Sequence, residues 1–178
     1  MTELYEAVLQ RRSWSKVTDD APDRDELLHL LTAAGRVADH SSMRPWRVIT
    51  LRGDDRVKLG RAIAKATGDK GVSTKPMRAP LLLAVVATVK PSEKVPSWEQ
   101  EAVASGVAHV LSLLLDDAGW GVLWRTGTYT RAKAVRKAHG LGKDELLLGW
   151  LYVGGKPANA RIGRRKAVNA KAHLSRMP

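Results

Sequence analysis

Three short segments concentrate side chains able to bind or polarise a ligand. RRSWSK, residues 11–16, places two guanidiniums and a hydroxyl together. Arg11, Arg12 and Ser13 could grip a phosphate or the polar edge of a heteroaromatic ring bidentately. The helix dipole alone also favours arginine in a last helical turn, so this segment is a weak signal by itself. VADHSSMRPWR, residues 37–47 just after Arg36, packs His40, two serines, a methionine, two arginines and a tryptophan into one connection. That is too dense in special side chains for an ordinary polar loop. LWRTGTYT, residues 123–130, carries Trp124, Arg125 and Thr126 into a turn whose backbone N–H groups can face a carbonyl-rich ligand.

The three segments share cationic donors set beside flat or soft apolar side chains. A planar aromatic ligand carrying a phosphate suits that character, and flavin mononucleotide (FMN) fits the description. Competing chemistries are excluded residue by residue. The chain has no cysteine, which removes thiolate nucleophiles, thiolate zinc sites and iron–sulfur ligation together. GWGVLW at 119–124 has two glycines of a dinucleotide fingerprint, but Trp124 replaces the third and the segment follows a helix rather than a strand. No Walker loop occurs. The five histidines, His29, His40, His109, His139 and His173, lack the spacing of a metal ligand set. No catalytic acid or base stands out, and no metal is expected.

The elements that must hold these segments are legible in the periodicity. Leu4, Ala7 and Val8 give a first helical face over 3–12, with Thr2 available as N-cap. Asp23, Asp25 and Glu26 open a second helix carrying Leu27, Leu30, Leu31 and Ala34. Pro45 stops helix formation before WRVITL, which alternates as a strand. Asp54 reads as the cap of a helix over 55–66, and residues 68–80 read as a loop and the likeliest mobile segment. LLLAVVATV then has the continuous apolar character of a strand buried on both faces. Ser97 and Gln100 have capping-box spacing at the head of the longest helix, 98–118, whose apolar positions leave little polar face. A short strand at 122–124, a helix over 131–139 and a final buried strand, LLLGWLYVGG, complete the pattern. Helices and strands mix without a βαβ rhythm, so the expectation is α+β: a small mixed sheet flanked by helices, with one long central helix.

The 178 residues carry a net charge of +12, which invites a nucleic-acid reading. Its distribution argues otherwise. Residues 156–178 hold seven Lys/Arg and no acid, leaving +5 for the first 155 residues. A basic arm on a mildly basic body follows, with nucleic acid an unfavoured partner. No apolar run is long enough for a membrane span, and the first residues, MTELYEAVLQRR, lack a signal-peptide core, so a cytoplasmic location is expected.

RRS near the N-terminus, DHSSMRPW, VPSWEQE opening the long helix, and LWRTG occur in an order and spacing similar to those of one family. On these motifs residues 1–155 resemble the nitroreductase family of flavin enzymes, in particular its compact single-domain members. The resemblance implies an α+β homodimer with FMN sites at the subunit interface and NAD(P)H as co-substrate. It implies that Arg11, Arg12 and Ser13 hold the ribityl phosphate and pyrimidine side of the flavin. His40 belongs to the site, and Arg36 reaches the flavin of the partner subunit. Trp124, Arg125 and Thr126 complete the contacts, residues 114–119 lie near the nicotinamide nucleotide, and either Arg164 or Arg165 is a candidate for the phosphate. It further implies ping-pong hydride transfer to a small-molecule electron acceptor of nitroaromatic or quinone type. The arm 156–178 would belong to the same domain and embrace the other subunit. Ser42 and Arg44 depart from larger members, which carry Asn and Gln before the Pro-Trp pair. The alternatives are a flavin storage or delivery protein with little turnover, and a basic nucleic-acid-binding module.

Overall fold

The computed structural model describes residues 3–160 and 166–177. Four strands form one sheet: β1 (Trp46–Leu51), β2 (Leu81–Thr88), β3 (Trp120–Arg125) and β4 (Glu145–Gly155), in the spatial order β1-β2-β4-β3. Every pairing is antiparallel, where a mixed sheet was expected. The reason is topological: β2 and β3 run the same way but are separated by β4, so no parallel neighbours arise.

Both faces of the sheet are covered, which explains why β2 reads as an unbroken apolar run. Its odd-numbered residues Leu81, Leu83 and Val85 pack with α2 (Arg24–Ala34) and α4 (Ser97–Asp117), through Leu27, Leu30, Val107, Leu111 and Leu115. Its even-numbered residues Leu82, Ala84 and Val86 face α3 (Asp54–Thr67) and α5 (Lys133–Ala138), through Leu59, Ile63 and Val135. Leu111 and Leu115 are fully buried, so truncating either to alanine would cost about 2–5 kcal/mol. A bulge between Val85 and Val86 shifts the β2–β4 register and lets β4 present Leu147 and Trp150 to the same side.

Helix ends differ from their sequence signals in instructive ways. Asp23, one of the acids expected to open α2, is its N-cap, accepting from the Glu26 N–H at 2.9 Å. Asp54 instead lies inside α3, where its charge complements the dipole, and Gly53 occupies the cap position. The Ser97–Gln100 capping box does not form: the cap position is Pro96. Gln100 is buried and uses its amide on the preceding loop, donating to the Lys90 and Val95 carbonyls (2.8 and 3.0 Å) and accepting from the Lys90 N–H (2.8 Å). Three backbone partners satisfy a buried amide better than one exposed helix terminus does. The helix expected over 131–139 begins as a 3-10 turn, Thr128–Arg131, and Ala132 breaks it before α5. Helix α1 (Glu3–Gln10) stops two residues early, and Thr2 lies outside the described residues. The segment 68–80 includes a 3-10 turn at Lys75–Arg78 whose Pro76 is buried.

One buried histidine makes the fold sensitive to acid. His139 accepts from the Trp150 indole N–H at 3.0 Å through Nε2, so its Nδ1–H donates to the Val135 carbonyl at 2.8 Å. Burial, with a smaller contribution from the nearby Arg47 charge, holds its pKa below the ordinary histidine value. The folded state therefore favours the neutral ring. Its contribution is complete above about pH 6.5 and fades as pH falls through the depressed folded value. Thermal melting followed from pH 7.5 to 5 is expected to show a falling Tm, and His139→Gln, which keeps an acceptor for Trp150, is expected to flatten that slope.

Candidate functional site

The site is built where β3 meets the segment after α1. Gly121 and Gly154 sit opposite each other in the β3–β4 register. A Cβ on Gly121 would come within 2.9 Å of Val17 and 3.2 Å of Trp14, and one on Gly154 within 2.7 Å of the Thr18 carbonyl. Two bare positions thus let residues 14–18 lie directly on the sheet. The Trp14 N–H donates to the Val122 carbonyl (2.9 Å), and the Thr18 N–H to the Gly155 carbonyl (2.8 Å).

Trp14 is held again through its side chain. Its indole N–H donates to Asp116 Oδ1 at 3.1 Å. Lys156 binds the same carboxylate at 3.1 Å, donates to the Asp116 carbonyl at 2.7 Å, and stands 5.6 Å over the indole ring. Two clefts flank this knot. Arg12 lines one of 520 Å³ with Trp14, Asp116, Asp117, Gly119 and Lys156, which joins it to the 114–119 stretch singled out from the sequence. Ser13 lines the other, of 490 Å³, with Trp14, Lys16, Pro157, Asn159 and Ala160. Arg11 follows α1 directly, its N–H bonded to the Ala7 carbonyl, and is half-buried. Arg164 and Arg165 lie outside the described residues.

At the far end of β3 the chain turns through Thr126. Gly149 of β4 makes that turn possible: a Cβ there would sit 2.5 Å from the Arg125 carbonyl, 2.7 Å from the Trp124 indole nitrogen and 2.9 Å from Thr126. Strand alternation sends neighbouring side chains to opposite faces. Trp124 goes to the α4 side and meets His109 edge-on at 4.8 Å, with its indole N–H buried and unpartnered. Arg125 goes to the other side and lies 5.3 Å over the Tyr152 ring. Thr126 is exposed at the turn itself. The structure therefore brings Arg125, not the Trp124 side chain, to the sheet face that carries Val17 and Leu123.

That face holds cations the sequence reading missed. Lys75 stands 5.2 Å over Tyr129, and Arg78 and Arg125 both act on Tyr152 electrostatically. Burial pushes the Tyr152 hydroxyl up to about 12, aided by Tyr129, while the two arginines oppose the shift. Among the described residues none of Lys75, Arg78 and Arg125 has a carboxylate partner, and Arg125 Nε is buried without a hydrogen-bond acceptor. Their signal was an acid-free run, residues 70–92, in a segment read as loop. Unpaired cations, an orphaned guanidinium N–H and flat rings match the donor set that an anionic planar group such as FMN requires.

His40 lies elsewhere, and Arg36 is exposed just past α2, beside the Val37 that packs on Gly106 midway along α4. His40 bonds Glu99 near the start of α4, whereas Arg12 faces Asp116 near its end. Those positions are separated by about 25 Å of helix, at 1.5 Å per residue. The His40 connection is strained: Ser41, Ser42 and Arg44 have φ of +60°, +50° and +47°. Asp39 holds it by accepting from the Arg44 N–H at 2.7 Å, and Lys90 donates to the Met43 carbonyl at 2.6 Å. A groove of 710 Å³ opens beside it, lined by Val37, His40, Trp98, Glu99, Val103 and Gly106 among others.

With this arrangement established, the comparisons with known proteins assign the class. The nitroreductase family model matches residues 8–155, and the chain belongs to the nitroreductase family, a family of oxidoreductases. It is 34% identical over 160 residues to the Escherichia coli K12 protein named "Putative NAD(P)H nitroreductase YdjA", covering 85% of this chain and 87% of that one. A Haemophilus influenzae protein named "Putative NAD(P)H nitroreductase" is 27% identical over 153 residues, covering 81% of this chain and 83% of the other. In fold, the chain matches a nitroreductase-like protein from Bacillus cereus with a TM-score of 0.84 at 22% identity, over 99% and 97% of the two chains. The FMN- and NADPH-dependent nitroreductase NfnB from Sphigopyxis sp. strain HMH superposes with a TM-score of 0.78 at 18% identity, over 99% and 100% of the two chains. No helix among the described residues is long and apolar enough to cross a membrane.

Gly149 offers a direct test of the site's construction. Gly149→Ala forces the Trp124–Thr126 turn off β4, so the variant is expected to melt lower than the parent, which a thermal melt checks.

Proposed function

We propose that the protein is an FMN-dependent oxidoreductase that uses NAD(P)H to reduce electron-poor acceptors of nitroaromatic or quinone type. The carrying observation is that Lys75, Arg78 and Arg125, which have no carboxylate partner among the described residues, lie on the sheet face that also carries Val17. When bound, FMN supplies the redox chemistry, accepting a hydride from the nicotinamide and delivering it to the acceptor.

The chain's own residues bind, orient and neutralise. Arg11, Arg12 and Ser13 are assigned to the ribityl phosphate and pyrimidine side, and Arg125 with Lys75 to the ring edge where reduction places negative charge. Thr126 and the backbone of Trp124 border the ring, since the Trp124 side chain points to α4. The cleft of Arg12 and Gly119 is assigned to the nicotinamide nucleotide, the Asp116 charge there being offset by Lys156. No side chain is assigned as catalytic acid or base.

Homodimerisation would bring together candidate residues that lie far apart in one protomer. A two-fold axis across α4 would set His40, at the start of that helix in one protomer, against the Arg12 end of the other. Support comes from α1, which buries no residue and exposes Leu4, Val8 and Leu9 at 66%, 50% and 54%. The arm, residues 156–178 of the same domain as 1–155, exposes Val168 and Leu174 and is assigned to the partner's surface. A cytoplasmic location accords with this chemistry.

Purified protein is expected to be yellow, to hold stoichiometric FMN, and to bleach anaerobically with NADH or NADPH. Colourless protein that does not take up added FMN overturns the proposal. Arg125→Ala and Lys75→Ala are each expected to weaken FMN binding about tenfold, the scale of a charge-assisted hydrogen bond, measured by quenching of flavin fluorescence. Truncation after Gly155 removes the Lys156 clamp and the arm, so dimer mass in sedimentation and flavin content are expected to fall together.

A further inference from the structure

We propose that Glu99 is a positioning residue for the cofactor site, acting through His40. The inference rests on the assignment of His40 to the flavin of the partner subunit and names the device that aims its ring. His40 Nδ1 is 2.9 Å from Glu99 Oε2. A carboxylate only accepts, so Nδ1 carries the proton and Nε2 is the nitrogen left for the site. The contact joins the first turn of α4 to the connection between α2 and β1, across 59 residues of sequence.

The surroundings are built to make that contact matter. His40 begins a stretch in which three non-glycine residues hold positive φ, a conformation that persists only when neighbours enforce it. Asp39 and Lys90 fix the backbone on its far side, through Arg44 and Met43. The His40 ring is the remaining freedom: its side chain is 54% exposed, and Glu99 is its hydrogen-bond partner among the described residues. Glu99 is itself restrained, being 29% exposed on a helix whose next residue, Gln100, is pinned to Lys90 and Val95. Two anchors from one helical turn, Glu99 on the ring and Gln100 on the loop that carries Lys90, therefore set the whole edge of the groove. The pairing explains why VPSWEQE and DHSSMRPW occur together, although neither motif is close to the other in sequence.

The test is a double-mutant cycle on FMN affinity in the full-length dimer, with Glu99→Ala, His40→Ala and the double variant. An exposed pair of this kind is worth up to about fivefold. Each single variant is expected to weaken FMN binding about fivefold, and the double variant to be no weaker than either single one. Glu99→Gln, which keeps an acceptor for Nδ1–H, is expected to bind close to the parent and to retain the parent's bound-flavin absorption spectrum. Additive losses, or unchanged affinity in Glu99→Ala, would overturn the role. Side-chain nitrogen NMR of the parent gives an independent reading: neutral His40 protonated at Nδ1 supports the assignment, and protonation at Nε2 refutes it. A parent protein that binds no FMN fails the functional proposal itself, before any variant is compared.

Discussion

Everything in this site depends on how closely the chain can approach the β3–β4 pair. Gly121 and Gly154 leave a bare strip on which residues 14–18 lie at hydrogen-bond distance, and Gly149 leaves the gap that receives the Trp124–Thr126 turn. A Cβ on Gly121 would come within 2.9 Å of a Val17 methyl, and one on Gly154 or Gly149 would meet a backbone carbonyl at 2.7 or 2.5 Å. Backbone held by sheet hydrogen bonds cannot yield cheaply. These contacts bring the segment after α1 and the end of β3 onto the β3–β4 pair. Without them the arginines would be solvated surface charges of little consequence.

Electrostatics then separates structural charges from charges left for a ligand. Arg47 binds Glu145 at 2.6 and 2.9 Å, which raises the guanidinium and holds the carboxyl below its usual range, each for the same reason. Lys156 is consumed by Asp116 and Trp14. Arg136 donates to the Glu145 and Gly142 carbonyls. Among the described residues Lys75, Arg78 and Arg125 have no carboxylate partner, and they stand by Tyr129 and Tyr152. A protein places uncompensated cations together at a cost, and a bound anion removes that cost.

Much of this was legible in the sequence because it rests on local rules. The apolar run of β2, the acidic start of α2 and the periodicity of α4 follow from burial, helix-dipole electrostatics and helical spacing, and appear as read. The resemblance to the nitroreductase family, carried by four ordered motifs, holds. What local rules could not give was pairing in space. Gln100 had the spacing of a capping box, but tertiary contact offered it Lys90 and Val95. Trp124 and Arg125 looked like one group, yet adjacency along a strand puts them on opposite faces. Lys75 and Arg78 were hidden in a segment read as a loop, since only the fold places them over Tyr129 and near Tyr152. The sheet's antiparallel pairing likewise depends on which strand β4 inserts between.

The +12 charge acquires a different meaning in this light. Its tail portion begins with Lys156, which anchors the arm to the end of α4, and its body portion includes the cations gathered on one sheet face. The most direct test of the central claim is a crystal structure of the full chain grown with FMN. The account predicts the isoalloxazine ring on the sheet face of Arg125 and Tyr152, bordered by Ser13 and Lys75 of one protomer and by His40 of its partner. A ring bound on the opposite face, among Trp124, His109 and α4, or held wholly within one protomer, would contradict it.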